Sequence, residues 1–477
     1  MLFNSFTFLL FFLLVTPLYY LTPYRWRWLL LLLASCYFYA SFIPAYILIL
    51  FAIIIIDYIA GRCIENATGH RRRSFLILSL VANIGTLALF KYYNFFIGNV
   101  DHLLALCHIQ TQPFPLLRLA LPLGLSFHTF QAMSYTIEVY KGNQPAERHF
   151  GIYALYVMFY PQLVAGPIER PGELMAQFYE HHKPDYPNIA IGLKKMLWGF
   201  VMKVVVADRL GIYVNYVYHH PEVHSRLALL IGVFFFTFQI YCDFAGYSLI
   251  AIGAAQTMGF TLAPNFRQPY MAASIRDFWR RWHLTLTRWF RDYVYIPMGG
   301  NRVGTGRMIF NILVVFLLSG LWHGAAWTFI IWGLLHAVAL IIESLTDHWN
   351  LHPRSHPLLL LFAMARGLLT FSFVCFTFIF FRAANVHQAT IVIRRILSPH
   401  IRWQLPVEFQ EKAVLICGIF GIAGIIAADI KTALFPGKQL FMYHRNAAVR
   451  LASCIALVLL IVLFGVFDAS QFIYFQF

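Results

Sequence analysis

Apolar runs of roughly 20 residues recur along the whole chain and are separated by short polar loops. A helix of about that length can cross the hydrocarbon core of a bilayer, and its backbone polar groups are then satisfied within the helix. A membrane β-barrel would instead show segments of about ten residues with alternating polarity, and the sequence lacks that alternation. The pattern therefore predicts an all-α, polytopic integral membrane protein.

The apolar runs predict a series of spans and partly inserted segments. Those with the clearest boundaries are residues 1–21, 29–42, 45–59, 75–90, 152–164, 189–218, 357–381, 413–427 and 448–467. The run 119–140 contains proline, glycine and polar residues, so we expect a helix that is buried in protein or re-entrant. The run 227–260 is too long for one simple span. The run 385–397 carries Arg394 and Arg395 and is expected to lie in the membrane interface.

Composition and charge agree with a membrane location. Of the 477 residues, 60% are hydrophobic and only 12% are charged, whereas about 25% are charged in a typical soluble protein. The net charge of +16 comes from basic residues in short loops, such as Arg71, Arg72 and Arg73, as expected for loops on the cytoplasmic side. We expect a multi-pass protein with the lipid bilayer as a partner. Nucleic-acid binding is not expected, because the sequence shows no basic soluble domain and no known nucleic-acid motif.

The metal-ligating residue types show no metal or redox pattern. The seven cysteines are scattered and no CxxC pair occurs, which argues against a zinc site or a redox motif. His219, His220, Glu222 and His224 cluster in one loop, but they lack the spacing of a known metal site. We therefore predict neither a bound metal nor a permanently bound cofactor.

A basic and aromatic run stands out between residues 276 and 293. Treated as one helix, it would carry aromatic residues on one stripe and basic or polar residues on another. One interpretation is an interfacial helix whose arginines meet lipid phosphates. Another is that the arginines bind the phosphates of an acyl-carrier substrate, because guanidinium groups form bidentate hydrogen bonds with phosphate. The candidates for phosphate contact are Arg280, Arg281, Arg288 and Arg291, and the basic stripe also carries His283.

The apolar run 308–342 is longer than one span requires and carries His323. We expect the run to break near residues 319–324, which contain two glycines. Irregular backbone at membrane depth is tolerated only where it lines protein or a cavity, so His323 is predicted to face the protein interior. A neutral imidazole there could accept a proton as a general base. His336, in the second half of the run, is predicted to serve in packing or support.

Three polar residues interrupt another apolar run. Gln239, Asp243 and Tyr247 are spaced four residues apart, so a helix would present them as one polar stripe. A carboxylate in an apolar run is expected to face the bundle interior or a water-filled cavity. Two interpretations stay open, a buried hydrogen-bonded brace between helices and a direct catalytic role.

Several stretches together carry a resemblance that covers essentially the whole chain. They are FQIYCDFAGYSLIAIG (238–253), NFRQPY (265–270), FWRRWHLTLTRWFRDYVYIPMGGNR (278–302), LSGLWHGAAWTFIIWG (318–333), LPLGLSFHTFQAMSYTIEVY (121–140), YPQLVAGPIER (160–170) and the terminal FIYFQF (472–477). With these motifs the chain resembles the membrane-bound O-acyltransferase (MBOAT) family. It looks most like the bacterial branch that serves alginate O-acetylation.

The resemblance implies an MBOAT-type helical bundle with re-entrant and in-plane helices around a central channel. It implies a single membrane-embedded acyltransferase domain over residues 1–477, with a catalytic core at about residues 227–345. The family's near-invariant histidine corresponds to His323, and its second functional position corresponds to His283. Trp322, beside the first histidine, is taken as channel support together with the polar stripe described above.

The resemblance leads to the hypothesis of an acyl-CoA-dependent O-acetyltransferase of the bacterial inner membrane. Acetyl-CoA would enter from the cytoplasm, and an extracytoplasmic partner protein would pass the acetyl group to an exported polysaccharide such as alginate. His323 would act as general base, and His283 would orient or polarise the thioester carbonyl. One alternative is a family member that acts on peptidoglycan, teichoic acid or lipid. Another is a non-enzymatic polysaccharide transporter, for which we would expect paired repeats that the sequence does not show.

Overall fold

The computed structural model describes residues 1–109, 114–346, 356–401, 403–404, 409, 411–435, 441–467 and 473, with residues 356–360 described by their backbone alone. Within these ranges the chain forms helices and loops and contains no β-strand, so the predicted all-α class is confirmed. Of the resembling terminal motif 472–477, all residues except Ile473 lie outside the described part.

Nineteen α-helices are described, together with short π-helical and 3-10 turns. The first ten are α1 (Phe6–Leu21), α2 (Tyr24–Ala40), α3 (Tyr46–Asn66), α4 (Gly69–Leu87), α5 (Tyr93–Leu106), α6 (Leu125–Lys141), α7 (Phe150–Met158), α8 (Pro171–Gln177), α9 (Tyr186–Phe200) and α10 (Asp208–His219). The others are α11 (Arg226–Thr257), α12 (Ile275–Trp279), α13 (Leu284–Phe290), α14 (Thr305–His323), α15 (Trp327–Thr346), α16 (His356–Arg382), α17 (Val386–Leu397), α18 (Lys412–Leu434) and α19 (Ala447–Phe464).

Eight helical segments in the described ranges are long and apolar enough to cross a membrane. They are Tyr46–Asn66, Gly69–Leu106, Arg226–Thr257, Thr305–His323, Trp327–Thr346, Leu361–Arg382, Lys412–Leu434 and Ala447–Phe464. This number of apolar helices supports the predicted multi-pass membrane protein. The segment Gly69–Leu106 runs on from α4 into α5 through a π-helical turn.

The helices fall into two compact units. One comprises Met1–Leu193 and Ala251–Ala263, and the other comprises Lys194–Ile250 and Pro264–Phe477. Two of the long helices, α9 and α11, supply residues to both units. The prediction of one domain over the whole chain stays a prediction.

A buried polar network joins three helices of the first unit. The Asp57 carboxylate on α3 accepts hydrogen bonds from the Ser79 hydroxyl and from the Asn83 side-chain amide on α4, the latter at 2.8 Å. The Ser79 hydroxyl also lies 3.0 Å from the hydroxyl of Thr136 on α6. A carboxylate can be buried at modest cost only when its oxygens are hydrogen-bonded. The segment predicted to be buried or re-entrant therefore packs within protein through α6, most of which is buried.

The polar stripe predicted between residues 239 and 247 lies on one helix. Helix α11 is unbroken over 32 residues and therefore about 48 Å long, which exceeds the roughly 30 Å hydrocarbon core. Gln239, Asp243 and Tyr247 are all buried. The stripe faces protein rather than lipid.

The basic run 276–293 does not form the single helix that its periodicity predicts. The chain forms α12, leaves the helical conformation over residues 280–283, and then forms α13 and a π-helical turn, Arg291–Tyr295. His283 lies at the break, with a left-handed backbone (φ +42°) that a helix cannot contain. The prediction of a continuous stripe through Arg276, His283 and Arg291 is therefore wrong.

Helices α14 and α15 form a hairpin whose backbones approach closely at two glycines. A Cβ atom built on Gly320 would lie 2.4 Å from the Phe329 carbonyl oxygen, and one on Gly333 would lie 2.3 Å from the Phe316 carbonyl oxygen. Helix α14 ends at His323, and α15 begins at Trp327. The predicted break in the apolar run is confirmed, and it leaves the histidine on the last turn of a tightly packed hairpin.

Replacing Gly333 by alanine is expected to destabilise the protein by about 1–3 kcal/mol, because the methyl group overlaps backbone atoms that side-chain motion cannot relieve. The measurement is the midpoint of thermal unfolding in detergent. The matched control is Gly306→Ala, since a Cβ at that α14 position meets no atom within 4 Å and alanine favours the helix. Equal unfolding midpoints for the two variants would contradict the close helix contact.

Candidate active site

Backbone pairing between two separate segments places His283. The N–H of Arg267 donates to the carbonyl of Arg281, and the N–H of Leu284 donates to the carbonyl of Asn265, both at 2.9 Å. This pairing turns the chain between α12 and α13, and His283 takes the left-handed conformation at the N-terminal end of α13. Its side chain is fully buried.

The side chain of Asn265 holds the His283 ring. Its Oδ1 accepts hydrogen bonds from the N–H and the hydroxyl of Thr285, at 3.3 and 3.0 Å. The same oxygen lies 3.1 Å from Nδ1 of His283. Asn265 Nδ2 donates to the Ser248 hydroxyl at 3.3 Å. One buried amide therefore connects α11, the loop after it, and the start of α13.

Burial also sets the charge of His283. Phe244 packs edge-on against its ring at 4.6 Å between centroids, and Phe266 stacks at 6.4 Å. Removal from water lowers the pKa of His283 to about 3. The imidazole is therefore neutral at physiological pH.

Aromatic side chains surround His323. The ring centroids of Trp322 and Trp332 lie 5.0 Å from that of His323, and that of Phe381 lies at 5.2 Å, all in edge-to-face geometry. His323 is 4% exposed. The predicted position of this histidine in the protein interior agrees with the structure.

The two candidate histidines come together although 40 residues separate them in the chain. Their ring centroids lie 6.4 Å apart, with an angle of 60° between the ring planes. Trp322 contacts both rings, at 5.9 Å from His283 and 5.0 Å from His323. Two imidazoles at this separation can both approach one set of reacting atoms, which suits proton transfer.

A cavity of about 570 Å³ lies along the same helix hairpin. Its volume falls within the roughly 300–1,000 Å³ that is usual for small-molecule sites. Its lining residues are Arg276, Trp279, Arg280, Leu286, Thr287, Phe290, Arg291, Tyr295, Asn301, Met308, Ile312, Val315, Phe316, Ser319, Leu340 and Ser344. The cavity thus combines cationic and hydroxyl groups with an apolar wall.

The cavity follows one face of α14. Its lining on that helix extends from Met308 to Ser319 at spacings of three and four residues, as one helix face requires. His323 lies four residues beyond Ser319 and so continues the same face. A ligand extended along the cavity would therefore point towards the candidate base.

The predicted phosphate-binding arginines separate into two groups. Arg280 and Arg291 line the cavity, whereas Arg281 and Arg288 do not. Arg281 Nε donates to the carboxylate of Asp277 at 2.9 Å. An arginine outside the predicted set, Arg276, also lines the cavity, and the structure therefore adds it as a candidate for phosphate contact.

Asp243 belongs to a buried ion cluster rather than to the histidine pair. Lys203 Nζ lies 2.5 Å from an oxygen of Asp243 and 2.6 Å from one of Asp208. The backbone N–H of Ile473 donates to the other Asp243 oxygen at 2.8 Å. Of the two interpretations of Asp243, this geometry favours the structural brace.

Trp332 lies between His336 and His323. Its Nε2 is 3.1 Å from the Thr377 hydroxyl, and that hydroxyl donates to the Val374 carbonyl at 2.9 Å. Trp332 packs against both histidine rings, at 5.2 Å from His336. The predicted role in packing or support fits this position.

No group of three or more potential metal ligands occurs within the described ranges.

Comparison with known proteins identifies the protein family. A family model described as MBOAT, membrane-bound O-acyltransferase family, matches residues 147–380, which include both histidines and the whole cavity lining. The probable alginate O-acetylase AlgI of Pseudomonas aeruginosa is 39% identical over 85% of this chain and 76% of its own length. The chain belongs to the MBOAT family. As a member of that family it is a membrane-bound acyltransferase.

Other MBOAT relatives act on other polymers, according to their names. The peptidoglycan O-acetyltransferase of Helicobacter pylori is 38% identical over 76% of this chain and 72% of its own length. The teichoic acid D-alanyltransferase of Bacillus subtilis is 30% identical over 56% of this chain and 70% of its own length. Identity to the first of these nearly equals that to the alginate enzyme, so similarity alone does not select the acceptor.

Sequence reasoning assigned no role to Asn265, Trp332, Phe381 or Arg276. Asn265 and Trp332 lie within the resembling stretches 265–270 and 318–333, which is the one signal that could have drawn attention to them. Their contacts with the histidines join residues that are nine or more positions apart in the chain, which residue spacing does not reveal. Phe381 comes from the end of α16 and reaches His323 only in the folded unit.

Proposed function

We propose that this MBOAT protein transfers an acetyl group from cytoplasmic acetyl-CoA to an exported polysaccharide such as alginate, through an extracytoplasmic partner protein. The observation that carries the proposal is the pair of buried histidines beside an arginine-lined cavity. Similarity to the probable alginate O-acetylase over most of both chains supports the acetyl group and the polysaccharide.

The cavity suits the donor. Arg276, Arg280 and Arg291 offer guanidinium groups that can bind phosphate by charge-assisted hydrogen bonds. The apolar wall formed by α12 and α14 residues suits the less polar arm that carries the thioester. With the phosphates at the arginines, the arm would extend along α14 towards His323.

The chemistry requires one proton acceptor at the thioester. His323 takes the proton of the acceptor hydroxyl as its oxygen attacks the thioester carbonyl carbon. A new C–O bond forms and the C–S bond breaks, so that an acetate ester and a thiolate result. The protonated His323 then returns its proton to the thiolate, and the free thiol leaves with the carrier.

The acceptor must bring a hydroxyl group to the thioester. A hydroxyl of the partner protein or of a polymer would enter the space between His283 and His323, which are the polar groups that aromatic side chains enclose. Peptidoglycan is the second candidate acceptor, because the relative from Helicobacter pylori is nearly as similar as the alginate enzyme. A purely transporting protein would not need a proton acceptor at this site.

The decisive experiment incubates membranes containing the protein with labelled acetyl-CoA and one acceptor at a time. The acceptors are unacetylated alginate, peptidoglycan and teichoic acid. Transfer to alginate as an alkali-labile ester supports the proposal, and transfer to peptidoglycan alone replaces the acceptor. Polymer movement across vesicles without consumption of thioester would overturn the acyl-transfer function.

Replacing Arg280 by alanine is expected to raise the KM for acetyl-CoA about tenfold with little change in kcat, because a hydrogen bond between charged groups is lost on binding. Initial rates at varied acetyl-CoA give both constants. Arg307→Ala is the matched control, since Arg307 is a cation of the same unit outside the cavity lining. An unchanged KM in Arg280→Ala would remove this arginine from the donor site.

A further inference from the structure

The hydrogen bonds of Asn265 determine which of its side-chain atoms faces His283. The N–H of Thr285 is a backbone donor and cannot accept, so the atom 3.3 Å from it must be the amide oxygen. On the other side, the Ser248 hydroxyl accepts from Asn265 Nδ2. A flipped amide would set two donors against each other at Thr285. The orientation of Asn265 follows from the protein backbone.

The tautomer of His283 follows from that orientation. An amide oxygen only accepts hydrogen bonds, so the His283 nitrogen 3.1 Å away, Nδ1, must carry the hydrogen. In a neutral imidazole the other nitrogen then holds a lone pair. His283 therefore presents Nε2 as an acceptor.

We infer that Asn265 is a positioning residue that fixes His283 in the Nδ1–H tautomer, so that His283 accepts a hydrogen bond from the reacting groups at Nε2. This inference rests on the proposed acyl transfer. It assigns His283 a second acceptor position beside His323, within the same aromatic enclosure.

The inference changes the role expected for His283. Polarising the thioester carbonyl requires a hydrogen-bond donor, and the neutral Nδ1–H tautomer has none at Nε2. An acceptor at that nitrogen can hold an N–H or O–H group of the bound substrates by a hydrogen bond, while His323 takes the proton of the attacking hydroxyl. Asn265 bonds to the Nδ1 side of the His283 ring, so it acts on the reacting groups through His283.

The tautomer can be measured without any assay of activity. Nitrogen-15 chemical shifts of histidine-labelled protein in lipid separate the two tautomers, and a difference spectrum against His283→Gln isolates this ring among the 19 histidines. We expect Nδ1–H in the parent protein and a mixture of tautomers in Asn265→Ala. An Nε2–H tautomer in the parent protein would overturn the inference, whereas loss of acetyl transfer alone would overturn only the proposed function.

A pH profile provides the kinetic test. In Asn265→Asp the carboxylate lies against Nδ1–H and favours the imidazolium, which raises the pKa of His283. Because protonated His283 cannot accept a hydrogen bond at Nε2, the acid limb of the kcat profile of Asn265→Asp should move to higher pH. In Asn265→Ala, kcat should fall about 10²-fold. A purely structural role for Asn265 would lower kcat without moving the limb, and that result would contradict the inference.

A matched control distinguishes a folding defect from a change in the His283 tautomer. Asn311 is another buried asparagine of the same unit, and its amide donates to the carbonyls of Met298 and Gly300. Asn311→Ala is expected to lower the unfolding temperature and to leave the His283 tautomer unchanged. A tautomer change in this control would show that general loosening, rather than Asn265, governs the ring.

Discussion

Replacing His323 by alanine is expected to lower kcat for acetyl transfer by about 10²- to 10⁴-fold, the range for loss of a general base. The ring ends α14 inside an aromatic enclosure and faces the second histidine. Alanine leaves the acceptor hydroxyl without a strong proton acceptor in a site where water is excluded. The measurement is the rate of label transfer from acetyl-CoA at saturating donor.

The controls for His323 separate chemistry from folding. His323→Gln keeps much of the side-chain volume and hydrogen-bonding capacity but cannot take up a proton, so it should be as inactive as the alanine variant. His336→Gln alters a buried histidine of the same hairpin that is held by Thr377, and it should act mainly on the unfolding temperature. Full acetyl transfer by His323→Ala would exclude this residue as the base.

The position of His323 was predictable because the relevant signal is local. An apolar run too long for one span had to break, and small residues marked the place, as Gly320 and Gly324 show. The all-α membrane class follows from the same kind of local pattern. Periodicity over neighbouring residues is sufficient for both.

The surroundings of His283 were not predictable, because they depend on contacts between distant segments. Eighteen residues with a helical pattern suggested one helix, but backbone pairing of Asn265 and Arg267 with residues 281–284 outweighs that pattern and turns the chain at the histidine. Periodicity shows which faces of a helix are apolar and does not show where distant segments interrupt the helix.

The ion cluster at Lys203 also depends on contacts between distant segments, which the sequence pattern does not predict. Lys203 and Asp208 are five residues apart, which is not the three- or four-residue spacing of neighbours on an α-helix, and Asp243 comes from α11. The amide of Ile473 completes the set from the far end of the chain. The sequence left the role of Asp243 open between brace and catalyst, and only its partners favour the brace.

Replacing Lys203 by methionine is expected to destabilise the protein by about 3–5 kcal/mol, the range for breaking a buried ion pair from one side. The ammonium group lies between two buried carboxylates, and methionine fills the space without offering a charge or a hydrogen bond. Asp208 and Asp243 would then repel each other out of contact with water. Thermal unfolding in detergent and the yield of folded protein report the loss.

Companion variants test whether charge, rather than shape, is the cause. Asp243→Asn keeps an oxygen that can accept from the N–H of Ile473 and leaves Lys203 paired with Asp208, so it should be milder than Lys203→Met. The double variant Lys203→Met with Asp243→Asn removes one of the two repelling charges, and its destabilisation should be smaller than the sum of the single effects. Strict additivity, or a Lys203→Met variant that unfolds at the parent temperature, would show that the cluster does not brace the second unit. Because the Asp243 carboxylate bonds to Lys203 and to the N–H of Ile473, folded Asp243→Asn should retain acetyl transfer, whereas the direct catalytic role considered for Asp243 requires its loss.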